Sequence, residues 1–314
     1  MEHLLFSLSI TTPIFLLMVL GFFFRKIQLF DDNFVKKSNQ FVFTIALPTL
    51  VFRDLATSDF FRVWDGFFVL FCFIVSLISI ALSYLLSFLL KDDTIRGEFV
   101  QASYRSSAAL LGIAFIQKIY GSSGIAPLMV IGTVPLYNVM AVIILSLMKP
   151  EKEPITKKML KNTCISILKN PIIIGIFLGT LWSFFTIPMP TILNQTIGSI
   201  ASLATPLGLM ALGASFDTKQ ARSCLMPAVF CSFLKLLGFT CIFLPIAIYF
   251  GFEGEKLISI LVMLGSATTV SCFVMAKNMG HKGILTTNTV LFTTIFSAVT
   301  LTGWLSILRY FHLV

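Results

Sequence analysis

Two polar stretches set in otherwise apolar sequence hold the side chains that could do chemistry. The first reads Gln101-Ala-Ser-Tyr-Arg-Ser-Ser-Ala-Ala-Leu-Leu-Gly112 and the second Met263-Leu-Gly-Ser-Ala-Thr-Thr-Val-Ser271. At a spacing of 159 positions, Ser106 and Ser107 correspond to Gly265 and Ser266. Unwound backbone at membrane depth is tolerated only where it is buried in protein or lines a wet cavity. If both stretches unwind and cross near mid-membrane, their half-helix N-termini present free N–H groups, which favour anions. Close helix packing by small residues is the competing reading. The matching of the two stretches favours crossing.

Arg105 sits at the first of these breaks. A charge at the centre of a membrane helix costs about 2.5–3.5 kcal/mol on insertion scales, so it needs a reason. Its planar fork could hold a carboxylate through two hydrogen bonds. It could equally snorkel to the expected cytoplasmic end, about two turns away. Lys235 is deeper, at the middle of a long apolar run, and its counterpart in the first half, Ser76-Leu77, is uncharged. Two roles stand for it: pairing with a substrate, or bracing the crossing by donating to freed carbonyls, with the brace favoured. Asn138, which follows Pro135, could hold a ligand or bridge two helices. The candidate binding set is therefore Arg105, Ser106, Ser107, Asn138, Gly265, Ser266, Thr268, Thr269 and Lys235. Pro48 and Pro206 are expected as helix breaks that open a groove.

Other chemistries lack their residues. His3, His281 and His312 all lie at helix ends or in loops, so no intramembrane metal or histidine acid–base site is expected. No Gly-rich phosphate loop ending in Lys-Ser/Thr is present, which argues against ATP-driven work by this chain. Asp54 and Glu98 sit near helix ends and form no mid-depth carboxylate pair. The six cysteines are scattered and make no Cys-x-x-Cys pair. No enzyme activity and no cofactor are expected, with coupling to Na⁺ or a proton left open.

The elements that must position these residues follow from composition. With 57% hydrophobic residues and only 12% charged, the chain lies far outside the soluble range. Its net charge of +9 comes from short loops between apolar runs and is no nucleic-acid signal. At about 20 apolar residues per crossing, ten membrane helices are expected, over 4–24, 34–55, 65–90, 99–120, 125–148, 168–186, 192–215, 224–250, 256–276 and 284–310. The first run is too long for a signal h-region and lacks a basic lead-in, so it is expected to remain as a membrane helix.

The halves repeat. Pro13-Ile14 and Gly21 recur as Pro171-Ile172 and Gly179, and Pro48 as Pro206, all 158 positions on; Gly121 recurs as Gly280 after 159. Five helices per copy is an odd number, so the second copy must be inverted in the membrane, a common plan of secondary transporters. The all-α fold expected is two inverted five-helix repeats with broken, crossing fourth and ninth helices. The repeats are 1–148 and 168–314, joined by a basic loop over 149–167 that holds Lys149, Lys152, Lys157, Lys158, Lys161 and, just beyond it, Lys169. With the N-terminus outside, sixteen Lys and Arg fall in inside loops and five outside. That bias puts the central loop in the cytoplasm and both termini outside.

Five blocks carry a family resemblance across the whole chain. They are Ala46-Leu-Pro-Thr-Leu-Val-Phe52, Ser103-Tyr-Arg-Ser-Ser107 with Leu111-Gly112 and Tyr120-Gly121, Asn170-Pro-Ile-Ile-Ile-Gly175, Thr205-Pro-Leu-Gly-Leu-Met-Ala-Leu-Gly213 and Val274-Met-Ala-Lys-Asn-Met-Gly280. In their order and spacing the chain resembles a bacterial member of the auxin efflux carrier family, which includes the plant PIN carriers and malonate or malate permease-type proteins. The resemblance implies the plan shared with bile-acid symporters and sodium–proton antiporters. Helices 1, 2, 6 and 7 would form a scaffold that also dimerises, and helices 3–5 and 8–10 a transport domain moving in elevator fashion. This chain departs from the family at Ser107, where an Asn is frequent, and at Ser266-Ala-Thr-Thr269, where many members carry a proline. The plant auxin site therefore does not carry over, and auxin is not the expected substrate.

The function expected is secondary transport of a small organic anion, a mono- or dicarboxylate such as malate or malonate, across a bacterial cytoplasmic membrane. A sodium-coupled symporter of the bile-acid-carrier type and a membrane receptor that binds without transporting are the alternatives.

Overall fold

The computed structural model describes residues 2–57, 65–108, 116, 119–120, 125–150, 165, 168–216, 222 and 224–314. Most of the second half of the fourth expected helix, Gly121 and the central segment 151–164, with four of its lysines, lie outside them. Among the described residues there are helices and turns but no strand. In chain order the helices are α1 (Glu2–Lys26), α2 (Asp32–Phe41), α3 (Leu47–Ala56), α4 (Gly66–Ser87), α5 (Arg96–Tyr104) and α6 (Ala126–Leu147). There follow α7 (Pro171–Phe184), α8 (Thr191–Ser202), α9 (Ala204–Ala214), α10 (Leu225–Phe233), α11 (Phe239–Tyr249), α12 (Gly254–Gly265), α13 (Ser271–Asn278) and α14 (Ile284–Tyr310).

Among the described residues, five stretches are long and apolar enough to cross a membrane: Gly66–Ser87, Leu128–Leu147, Thr191–Ala214, Leu225–Tyr249 and Ile284–Tyr310. Their outward faces are greasy. On α4, Phe67, Leu70, Phe73, Ile74 and Leu77 are exposed while Phe68, Phe71, Cys72, Val75 and Ser76 are buried. The four serines of this helix, Ser76, Ser79, Ser83 and Ser87, are all buried while hydrocarbon covers its outside, the reverse of a soluble helix and the arrangement a bilayer solvates.

Local sequence explains where the rods start and bend. Asp31 caps α2 by accepting from Phe34 N at 2.6 Å, and Asn170, before Pro171, caps α7 by accepting from Ile172 N at 2.9 Å. Asp65 caps α4 through Phe68 N at 3.0 Å and ties it to the start of α12 through Lys256 Nζ at 2.6 Å. The start of α14 is capped from outside its own sequence: the buried Glu98 carboxylate of α5 accepts from Gly283 N at 2.7 Å and Thr286 N at 3.1 Å. Gly283 makes the turn possible with a φ of +73°.

The two expected proline breaks differ. At Pro48 the rod is continuous, because a π-helical turn over Val42–Ala46 feeds α2 directly into α3. At Pro206 the break comes earlier, at Leu203: the proline has no N–H to give to Ser202 O, so it sits in the first turn of α9.

Two cores result. One gathers α4, α6, α11, α12 and α14 around Phe68, Met129, Phe243 and Leu261. The other gathers α1, α3, α6, α7, α9, α13 and α14 around Met18, Leu55, Ile172 and Leu209, with Phe41 of α2 packed against it. In the second, helices touch backbone to backbone through glycine. A Cβ on Gly21 would collide with the Met210 carbonyl of α9, and one on Gly179 would lie 2.8 Å from the Phe52 carbonyl of α3. Gly21 and Gly179 are 158 positions apart, and so are Phe52 and Met210. The two contacts are therefore one contact, made twice with the partners exchanged.

Candidate functional site

The backbone leaves helical geometry at both polar stretches. α5 ends at Tyr104, and Arg105 is extended at φ −73° and ψ 129°. α12 ends at Gly265, and Ser266 is extended at φ −77° and ψ 162°. Serine and threonine favour this because their hydroxyls offer the chain an alternative to the helical ladder. The freed groups bond each other across the gap. Ser107 N donates to Ala267 O at 2.9 Å, Thr268 Oγ1 to Ala102 O at 2.9 Å, and Gln101 Nε2 to Cys272 O at 2.9 Å. Thr268 N finds Thr293 Oγ1 on α14 at 3.0 Å. The two unwound segments are thus held to each other and to their neighbours by direct hydrogen bonds.

Arg105 is 3% exposed and anchored by neutral groups. One Nη donates to Met275 Sδ at 2.7 Å; the other donates to Asn138 Oδ1 at 2.7 Å and Ser271 Oγ at 2.9 Å. Its Nε has no partner. Asn138 must offer its oxygen, because its own Nδ2 donates to Val134 O at 3.0 Å. No carboxylate pairs with Arg105 among the described residues. A buried charge held only by dipoles keeps an electrostatic demand for an anion.

A cavity of about 320 Å³ lies against it. Arg105, Ser106, Ser107, Tyr137, Asn138, Thr268, Thr269 and Ser271 form one wall. The facing wall is mostly hydrocarbon: Val42, Leu47, Leu50, Val51 and Ala204, with Arg53, Asp54 and Thr205. Six of the nine residues expected from the sequence are therefore on this cavity. Gly265, Ser266 and Lys235 are not among its lining. Gly265 serves packing, since a Cβ there would lie 3.1 Å from Thr240 Oγ1. Ser266 is wholly buried and its Oγ is unpaired. Lys235 points between the two broken helices and donates to Tyr104 O and Met263 O, each at 3.3 Å. Pro48 and Pro206 do not line the cavity, but α3 and α9, which carry them, supply its facing wall.

The sequence missed Arg53 and Asp54, read as charges at a helix end, and Ser271, Met275 and Tyr137. What signal existed was a charged pair at the apolar end of α3; which way it faces depends on the π-turn before it. A second hollow, of about 1070 Å³, is lined by Arg25, Lys36 and Lys277 with Asn39 and Asn278. Arg25 there is paired with Asp32 at 2.5 Å.

Comparison with known families decides the class. Residues 8–305 match the family described as membrane transport protein. The chain belongs to that family. It is the auxin efflux carrier type of family, as the sequence blocks implied. No curated protein matches the chain. As a membrane transport protein it is multi-pass and works on passage across a bilayer, in keeping with its apolar outer faces.

Proposed function

We propose that this membrane transport protein carries a small organic anion, a mono- or dicarboxylate such as malate or malonate, by alternating access around its two broken helices. The observation that carries the reading is Arg105: a buried guanidinium on the wall of a 320 Å³ cavity, bonded to three neutral acceptors and to no carboxylate among the described residues, with Asp54 on the wall opposite. A substrate carboxylate would meet that demand, with Ser106, Ser107, Thr268 and Thr269 as further donors. The doubled glycine contact of Gly21 with Met210 and Gly179 with Phe52 supports two inverted five-helix repeats. In this reading helices 3–5 and 8–10 move in elevator fashion against a scaffold of helices 1, 2, 6 and 7. The scaffold would also carry a homodimer contact. The hollow with Lys36 and Lys277 would draw anions to the mouth on the side that the charge bias makes cytoplasmic. The membrane would be a bacterial cytoplasmic one, with both termini outside.

Charge-assisted hydrogen bonds contribute about 1.5–3 kcal/mol each, so Arg105→Ala should weaken anion binding about 100-fold or more. Saturable uptake into proteoliposomes should disappear while insertion and folding remain. Wild-type uptake kinetics in that variant would overturn the assignment. With purified protein, only the matching organic acids should raise the melting temperature, because a ligand that binds the folded state stabilises it.

A further inference from the structure

Lys235 belongs to neither cavity, yet it is 1% exposed. It stands on the π-helical turn Leu234–Gly238 between α10 and α11. Such turns insert an extra residue and often mark functional sites. The two carbonyls it reaches are not arbitrary. Tyr104 is the last residue of α5, and Met263 lies in the last turn of α12. They are 159 positions apart, the spacing that relates the two polar stretches, so they are equivalent atoms of the two broken helices. A single side chain thus bonds both members of a repeated pair, while its own counterpart region, Ser76-Leu77, is uncharged.

The C-terminal end of a helix carries the negative pole of its dipole. Here two such ends converge on one point, and no aspartate or glutamate pairs with the ammonium among the described residues. In secondary transporters, half-helix C-terminal ends and unwound carbonyls are where a coupling cation is held. We propose that the Lys235 ammonium fills a latent monovalent-cation site formed by these two helix ends, a tethered ion standing where a dissociable one would bind. The chain then needs no Na⁺ to bind its anion. The reading of the fold as a transporter supplies the meaning of the site, whereas the cation chemistry itself rests on the geometry alone.

The test melts full-length protein in detergent, as wild type, Lys235→Ala and Lys235→Gln, in NaCl, LiCl, KCl or choline chloride at equal ionic strength. Wild type should melt at one temperature in all four salts. Lys235→Ala should melt lower in choline and recover saturably in at least one small cation, which enters the vacated site. Lys235→Gln keeps an N–H donor, on a side chain one bond shorter, but no charge, and should stay below wild type in choline. Wild type stabilised saturably by Na⁺ over choline would overturn the proposal. So would Lys235→Ala indifferent to every small cation, or Lys235→Gln as stable as wild type in choline, which a plain hydrogen-bonding brace would give. If Lys235→Ala does not fold, the other two proteins still decide the matter. An organic-acid series run on wild type in the same salts keeps the readings apart: no shift with any acid counts against the anion-transport reading and leaves the salt comparison standing.

Discussion

Arg105 shows what one side chain decides. Its acceptors are neutral, so supplying a charged one should mimic a bound substrate. In Asn138→Asp a carboxylate would replace the amide oxygen that now lies 2.7 Å from the guanidinium. The ligand-free protein should melt higher, and apparent anion affinity should fall about tenfold or more, tenfold being about 1.4 kcal/mol. Titration by thermal shift reads both, and unchanged affinity would show that the anion does not compete for this guanidinium. At this scale the sequence was informative where residue type is itself unusual. An arginine and an asparagine inside apolar helices are visible without a fold. Ser271 and Met275 are ordinary residues for their surroundings, and only the aim of their side chains makes them Arg105's partners.

Helices respond to where they are held. Gly21→Ala puts a methyl into the Met210 backbone carbonyl, which cannot rotate away, and should cost about 1–3 kcal/mol as overpacking does, or more. Gly303→Ala meets nothing within 4 Å on α14 and should instead gain about 0.5–1 kcal/mol from helix propensity. Melting of the two variants against wild type checks the contrast; equal effects would remove the basis for a tight α1–α9 contact. The tie between α4 and α12 has a pH signature. The Lys256 hydrogen bond, then the Phe68 N–H, hold the Asp65 carboxyl below the ordinary value of 3.8. A carboxyl lowered by folding stabilises fully above its unfolded pKa and ceases to do so as pH falls through the folded one. Lys256→Met should therefore melt slightly below wild type at neutral pH, with the gap closing in strong acid. The helix breaks at Arg105 and Ser266 were legible because hydroxyl residues cluster there. The π-turns were not: Val42-Phe-Thr-Ile-Ala46 and Leu234-Lys-Leu-Leu-Gly238 read locally as plain helix, and the extra residue is imposed by what the rods pack against.

For the whole molecule, the expected repeat rests on duplicated landmarks that keep their spacing while most side chains differ. Orientation rests on the loop charges alone, and labelling tests it. With native cysteines removed, a Lys157→Cys variant should react with an impermeant maleimide only from the cytoplasmic side, and His312→Cys only from the opposite side. Reaction of both from one side would require an even number of crossings between them. The contrast between the two walls of the cavity beside Arg105 has a mechanical consequence. One wall is knitted by directional bonds, and any slip within it would proceed by jumps, each bond broken before the next can form. Val42, Leu47, Leu50, Val51 and Ala204 opposite offer only hydrocarbon, where a neighbour lost at about 0.1–0.2 kcal/mol per atom pair is replaced by the next. That surface is a bearing: a stiff, polar carriage travelling over it would meet low friction and few detents, so the resting positions would be set at the ends of the stroke.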